Sequence, residues 1–193
     1  MAVCERINER VRTKSGGYTQ AILDLSDKQL SPFGIGHLIR CFDENQVRPK
    51  ILKLSGNKLI DFDLANAVGF FIESVSGRFL TELDLSENEI GDFGAICILQ
   101  SLVTNKLRSS ERRITILRVN NNLITHPARI VEAVPENLRH LIHAPGFSTA
   151  SMDQALIYIY GMDDQRVPRA KRDGATSSDI PLLRPGIREP DSD

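Results

Sequence analysis

Hydrophobic and polar positions alternate in four short stretches of this chain. Ile22-Leu23-Asp24-Leu25, Ile51-Leu52-Lys53-Leu54, Leu83-Asp84-Leu85 and Ile116-Leu117-Arg118-Val119 each place apolar residues two apart. Strand side chains point to opposite faces in turn, so each stretch predicts a short strand with one apolar face. Between them the period changes to three and four. Ile35, Leu38, Ile39 and Phe42 follow a Ser31-Pro32 start signal. Leu64, Val68, Phe71, Ile72 and Val75 follow Asp63 as N-cap, with Gly77 as the stop, and Ile96, Leu99 and Val103 form a third stripe. These are helical faces with their caps. A shorter helix runs from Pro127 to Val134 and ends before Pro135. Strands alternating with helices predict parallel pairing through right-handed crossovers.

The strands also share a longer pattern. Its fullest copy, Leu80-Thr81-Glu82-Leu83-Asp84-Leu85-Ser86-Glu87-Asn88-Glu89-Ile90, reads Leu-x-x-Leu-x-Leu-x-x-Asn-x-Ile. Asn57, Asn88 and Asn122 occupy the same place in three copies, and Lys28 takes it in the first. An asparagine where the chain must turn can bond backbone groups that the turn leaves unpaired, so the three predict a stacked ladder. A degraded fifth copy begins at Leu138-Arg139-His140-Leu141-Ile142-His143. Equivalent leucines 23, 52, 83, 117 and 141 recur at intervals of 29, 31, 34 and 24 residues. Intervals of this order with this consensus signal leucine-rich repeats.

The pattern resembles the ribonuclease-inhibitor class of leucine-rich repeat, most closely at Leu85-Ser86-Glu87-Asn88-Glu89-Ile90-Gly91-Asp92-Phe93-Gly94-Ala95. The resemblance covers about residues 19–145. It implies an α/β fold, a right-handed β-α solenoid or leucine-rich repeat arc, with a parallel concave sheet and convex helices. It leaves function open, because such repeats serve inhibitors, immune receptors, actin-capping domains and the activator of the Ran GTPase. The expected organisation is a capping helix over 1–18, four clear repeats and a degraded fifth over 19–147, a C-terminal cap over 148–162, and a disordered tail over 163–193. The cap run Ala155-Leu156-Ile157-Tyr158-Ile159-Tyr160 reads as helix or final strand covering the end of the stack. The tail alternates prolines with Arg166, Arg169, Lys171 and Arg172, too few apolar residues to offset ordering entropy.

Charge narrows the partners. Lys+Arg 24 against Asp+Glu 25 leaves a net charge of -1, so no basic field gathers nucleic acid. The longest connection, Asn105 to Arg113, is a basic loop that reads as solvated. No run of about 18 apolar residues exists, so no membrane insertion is expected. Residues 1–13 carry charges in place of an apolar signal core. Three cysteines, Cys4, Cys41 and Cys97, lack regular spacing and read as reduced thiols. The expected location is cytoplasmic, with the nucleus as a second compartment.

Alternation puts the residues between the leucines on the other side of the sheet. One column there reads Asp24, Lys53, Asp84, Arg118, Ile142, and its neighbour Ile22, Ile51, Glu82, Ile116, His140. Strands lie about 4.8 Å apart, so the central charges alternate in sign at contact distance. The candidate partner-binding residues are therefore Ile22, Asp24, Ile51, Lys53, Glu82, Asp84, Ile116, Arg118 and His140. No Gly-rich phosphate loop or nucleophile elbow is present. Histidines 126, 140 and 143 have no cysteine or carboxylate at metal-ligand spacing. Neither catalysis, cofactor nor metal is expected. The expected function is a protein-protein interaction scaffold, an adaptor or a subunit of a larger assembly. The alternative is a GTPase-activating regulator resembling the Ran GTPase activator.

Overall fold

The structure, a computed structural model, describes residues 22–30, 32–45, 47–108, 115–147 and 154–165. The expected N-terminal cap and the segment 166–193 lie outside the described residues. Six strands, all parallel, form one sheet: β1 (Ile22–Asp24), β2 (Ile51–Lys53), β3 (Glu82–Asp84), β4 (Thr115–Arg118), β5 (Ile142–His143) and β6 (Ile157–Tyr160). Helix α1 (Pro32–Glu44) follows β1, and α3 (Asp92–Arg108) follows β3. Helix α2 follows β2 as three continuous pieces, Asp61–Asp63, a π-helical stretch Leu64–Val68, and Gly69–Glu73. The short α4 (Pro127–Glu132) follows β4. The fold is thus α/β, with the strand–turn–helix order recurring four times.

The core forms where the two periods meet. Leu23, Leu52, Leu83 and Leu117 are partners in register across β1 to β4, and all four are buried. Leu25, Leu54, Leu85 and Val119 bury beside them, one strand period on. The helices cover this face with Ile35, Leu38, Ile39 and Phe42 from α1, and Leu64, Val68, Phe71 and Ile72 from α2. Phe42 meets Phe71 edge to face, ring centroids 5.9 Å apart. Each such side chain contributes about 1.5–3 kcal/mol on burial. On α3 the buried stripe is Ala95, Ile98, Leu99, Leu102 and Val103, whereas the expected Ile96 is only partly buried. Val75 is exposed because α2 ends at Glu73, two residues short of it.

The start of α2 also differs from the expected cap. Ile60 is the N-cap, and Asp63 lies inside the first turn, where its Oδ2 accepts the Ile60 N–H at 2.9 Å. An acid at this place reaches back to a donor that the helix start leaves unpaired. Cys97 is a free, half-buried thiol, which burial pushes up from its ordinary pKa. Among the described residues, no helix is long and apolar enough to cross a membrane.

The largest departure from expectation is at the C-terminal end. The strand order is β1-β2-β3-β4-β6-β5, so the final strand does not close the sheet. It inserts between β4 and the degraded fifth copy, pairing Ile116 with Tyr158 on one side and Ile142 with Ile157 on the other. The two-residue β5 offers little backbone to β4. The four-residue β6 matches β4 along its full length, from Thr115↔Ile157 to Arg118↔Tyr160.

Candidate functional site

Facing away from the helices, the sheet presents two columns of side chains. One runs Ile22, Ile51, Glu82, Ile116, Tyr158, and the other Asp24, Lys53, Asp84, Arg118, Tyr160. None of these ten is buried. The strands hold this order because the leucines between them are locked in the core, and a one-residue slip would exchange the two faces. Eight of the nine sequence-derived candidates therefore lie together on this open face. His140 does not join them. It falls in the 3-10 turn Glu136–Leu141 that precedes β5, and is exposed there. Ile142, which the fifth copy would have placed in the charged column, is fully buried. The positions that His140 and Ile142 would have filled are taken by Tyr158 and Tyr160.

The central charges alternate in sign, but their bonds are not all across the column. Lys53 Nζ is 3.9 Å from Asp24 Oδ2. Arg118 does not pair with its register partner Asp84. Its Nε donates to Glu82 Oε1 at 2.8 Å, on the diagonal. That bond, against some desolvation, raises the Arg118 pKa above its already high ordinary value. The carboxylates of Asp24 and Asp84 turn back to accept the N–H groups of Ser26 and Ser86, at 3.1 and 3.0 Å. The bond from Ser26 holds the Asp24 carboxyl below its usual range.

Aromatic groups concentrate at the β4–β6–β5 end. The Arg118 guanidinium lies over the Tyr160 ring, 5.6 Å from its centroid, and His143 packs on Tyr158 at 5.5 Å. These three aromatics were missed by sequence reading. The signal was the period of two in Ile157-Tyr158-Ile159-Tyr160, which places both isoleucines inward and both tyrosines outward.

The turns at the strand ends carry the asparagine ladder. The residue before each ladder position is left-handed, with φ of 55 at Asp27, 66 at Gly56, 58 at Glu87 and 53 at Asn121. Each asparagine then spans two turns. Asn88 Nδ2 donates to Leu54 O, Leu85 O and Ser86 O at 2.9–3.0 Å, and its Oδ1 accepts from Asn57 N and Leu59 N at 3.0 Å. Asn57 and Asn122 repeat the arrangement on either side. Gln165 supplies a further rung, accepting Asn122 N–H at 3.1 Å and donating to Val119 O at 3.0 Å and to Gly161 O. The chain is thus tied to the fold as far as Gln165.

A second, shorter ladder of aspartates joins the helix starts. Asp61 Oδ1 accepts Gly91 N–H at 2.7 Å. One unit on, Asp92 Oδ1 accepts the N–H groups of Thr125 and His126 at 2.7 and 2.9 Å, and Oδ2 takes the Thr125 hydroxyl and His126 Nδ1, both at 2.8 Å. Burial alone would raise the Asp92 carboxyl, but the bonds from His126 and Thr125 hold it down at about 2. A depressed carboxyl stabilises the fold above its unfolded pKa near 4 and loses that contribution as pH falls toward 2. Allowing for solvent screening, the loss is about 1 kcal/mol. Urea titrations at pH 5 and pH 2.5 are expected to show a drop smaller by that amount in Asp92→Asn than in the wild type. Equal drops would show that the carboxylate contributes nothing through its charge.

Thr125, His126 and Asp92 do not form a nucleophilic relay, although the three residue types invite the comparison. A relay uses both ring nitrogens, one toward the acid and one toward the hydroxyl. Here acid and hydroxyl both meet Nδ1. Among the described residues, no group of three or more His, Cys, Asp or Glu side chains is placed to hold a metal. The expected basic loop after Asn105 is helical as far as Arg108. Lys106 is buried there, and Arg108 pairs with Glu73 at 3.2 Å beside a shallow cavity of about 500 Å³ between α2 and α3. The chain matches no protein-family model, and no curated protein matches it in sequence.

Proposed function

We propose that this chain is a leucine-rich repeat protein of the ribonuclease-inhibitor-like class, a right-handed β-α solenoid whose sheet is concave and whose helices are convex. In this reading it is a non-catalytic scaffold, an adaptor or a subunit of a larger assembly, and it binds a protein partner through the open face of the sheet. The recurring strand–turn–helix order, the leucines in register and the asparagine bonds support the repeat assignment. The observation that carries the function is the composition of the open face. Isoleucines and tyrosines stand in register beside charges of alternating sign, across five adjacent strands. Aromatic and arginine side chains are the groups that most often anchor protein interfaces. The Arg118–Tyr160 pair is the strongest such feature here.

Arg118→Glu tests this reading. It places a like charge beside both Glu82 and Asp84, and removes the cation from Tyr160. Its cost in stability is about 0–1 kcal/mol, as for other part-exposed pairs. Its effect on binding is expected to be larger, about 2 kcal/mol or more, because a charge desolvated without a partner is costly. The measurement is affinity for the protein that the wild-type chain retains from native lysate. Arg78→Glu, at the exposed residue of the 3-10 turn Gly77–Phe79, is the control and should be silent. Normal binding by Arg118→Glu with loss in Arg78→Glu would move the interface off the open face.

A further inference from the structure

Three phenylalanines stand outside both the core and the open face. Phe33, Phe62 and Phe93 are 85%, 66% and 60% exposed. Each is the second residue of its helix, α1, α2 or α3. The first turn of α2 packs between α1 and α3, which puts Phe62 in the middle of a row. The start of α3 lies especially close. The Gly91 N–H donates to Asp61 Oδ1 at 2.7 Å, and a Cβ at Gly94 would stand 2.9 Å from Asp61 Cα. Single exposed apolar residues are ordinary, whereas three rings at one place in three successive units form a surface. Asp27, Glu87 and Glu89 on the turns and Asp61 and Asp92 at the helix starts border it, against Lys28 and Lys58.

Charge and backbone decide what fits this row. The acidic excess repels a nucleic acid, an anionic lipid surface and a second copy presenting the same edge, and it complements lysine or arginine. An extended peptide would need backbone partners, and the turns have already spent theirs. The N–H groups of Lys28 and Leu30 are bonded to Asn57 Oδ1, those of Asn57 and Leu59 to Asn88 Oδ1, and that of Ile90 to Asn122 Oδ1. A helix satisfies its own backbone and offers side chains alone. Packed helices lie about 8–10 Å apart, which sets the spacing of the rings. On a partner helix two turns cover about 11 Å, so residues seven apart meet successive rings.

We propose that the Phe33–Phe62–Phe93 row is a docking edge for an amphipathic helix of a partner protein, with apolar residues at heptad spacing and lysine or arginine on both flanks. The apolar stripe covers the rings, and the flanking cations meet the carboxylates of the turns and helix starts. The edge is separate from the open face of the sheet, which a helix docked here leaves clear. Three rings exposed to this extent present roughly 300–500 Å², taking about 150–250 Å² for a whole aromatic side chain. That is below the area of about 800 Å² per side typical of stable complexes, so the contact belongs to the transient class. The expected Kd is about 10–100 µM.

The probe is a synthetic peptide of three heptads, with leucine at positions a and d and lysine at e and g, where like charges keep it from pairing with itself. Titrated into the isotope-labelled full-length protein, it should shift the amide signals around Phe33, Phe62 and Phe93 and saturate near the expected Kd. The triple variant Phe33→Ser/Phe62→Ser/Phe93→Ser should weaken binding about tenfold or more. All three side chains are exposed, so it should keep its thermal midpoint. Glu87→Lys/Glu89→Lys should weaken binding about fivefold through charge alone, and decides the matter where the triple variant does not fold. The same peptide with glutamate for lysine should not bind, and Tyr160→Ser, on the open face, should bind the lysine peptide normally. Absence of saturable shifts, shifts confined to the open face, or equal binding by a folded triple variant or by the charge variant would overturn the proposal. Equal binding of the glutamate peptide would do the same.

Discussion

Asn88→Ala is expected to destabilise the protein by about 3–5 kcal/mol, more than a typical core truncation of one or two methyl groups. The side chain is fully buried and makes five contacts: the two N–H groups of its amide are shared among three carbonyls, and its oxygen accepts two backbone N–H groups. Alanine leaves Asn57 N and Leu59 N without a partner at a place water cannot readily reach, whereas Leu54 O and Leu85 O keep the amides of Asn57 and Asn122. Each buried backbone group left unpaired costs about 1–3 kcal/mol, and incomplete relaxation sets the sum in the middle of that range. Gln165→Ala, at the last described rung, should cost only about 1 kcal/mol. Its bonds are to Asn122 N, Val119 O and Gly161 O, and the residue is half-buried. The measurement is the urea midpoint at constant slope. A loss below 1 kcal/mol for Asn88→Ala would mean that the ladder organises the turns without stabilising them. Asn88→Asp is a sharper companion. It keeps the acceptor but replaces three N–H···O contacts by oxygen against oxygen, so it should destabilise at pH 7 as much as alanine does.

The ladder is also where the sequence was most legible. A buried leucine every second residue and an asparagine at a fixed offset are local signals, repeated three times over, and local signals survive translation into structure. Leu23, Leu52, Leu83 and Leu117 could be put in register without coordinates, and so could the alternating Asp24, Lys53, Asp84 and Arg118. What could not be read was decided between distant segments. Whether β4 pairs with residues 142–143 or 157–160 depends on which offers the longer matched edge, and neither stretch announces it. The placement of His140 failed for this reason. Gln165 was illegible for another: a lone glutamine beyond a strand carries no consensus, and only its position against Asn122 makes it a rung. The Arg118–Glu82 diagonal could not be chosen over Arg118–Asp84 from register alone. It follows from Asp84 turning back to Ser86. The aspartates 61 and 92 were visible as helix-start residues, but their grip on the next unit was not.

Gly77→Ala is the other change expected to be severe, at about 3 kcal/mol or more, although Gly77 is not the helix stop that the sequence pattern predicted. As a helix stop, Gly77 would be needed for a left-handed backbone. It is not in that region, and α2 has already ended at Glu73. The constraint is contact. A Cβ at position 77 would lie 2.1 Å from Phe71 O and 2.8 Å from both Ile72 Cα and Ile72 O. All of these are backbone atoms, so no side chain can swing aside. Relief requires the 3-10 turn Gly77–Phe79 to lift off the end of α2, which pulls on the Leu80 N–H to Gly77 O bond and on the buried Leu80 at the entry to β3. Overpacking typically costs about 1–3 kcal/mol where side chains can yield, and this site has none to yield. Gly36→Ala supplies the opposite expectation. Gly36 lies inside α1 with nothing within 4 Å of an added Cβ, so alanine there should stabilise by about 0.5–1 kcal/mol through helix propensity. Urea midpoints moving in opposite directions for the two substitutions would establish that close approach, rather than glycine's flexibility, makes Gly77 necessary. A near-neutral Gly77→Ala would show that the turn does not pack on α2 as closely as described.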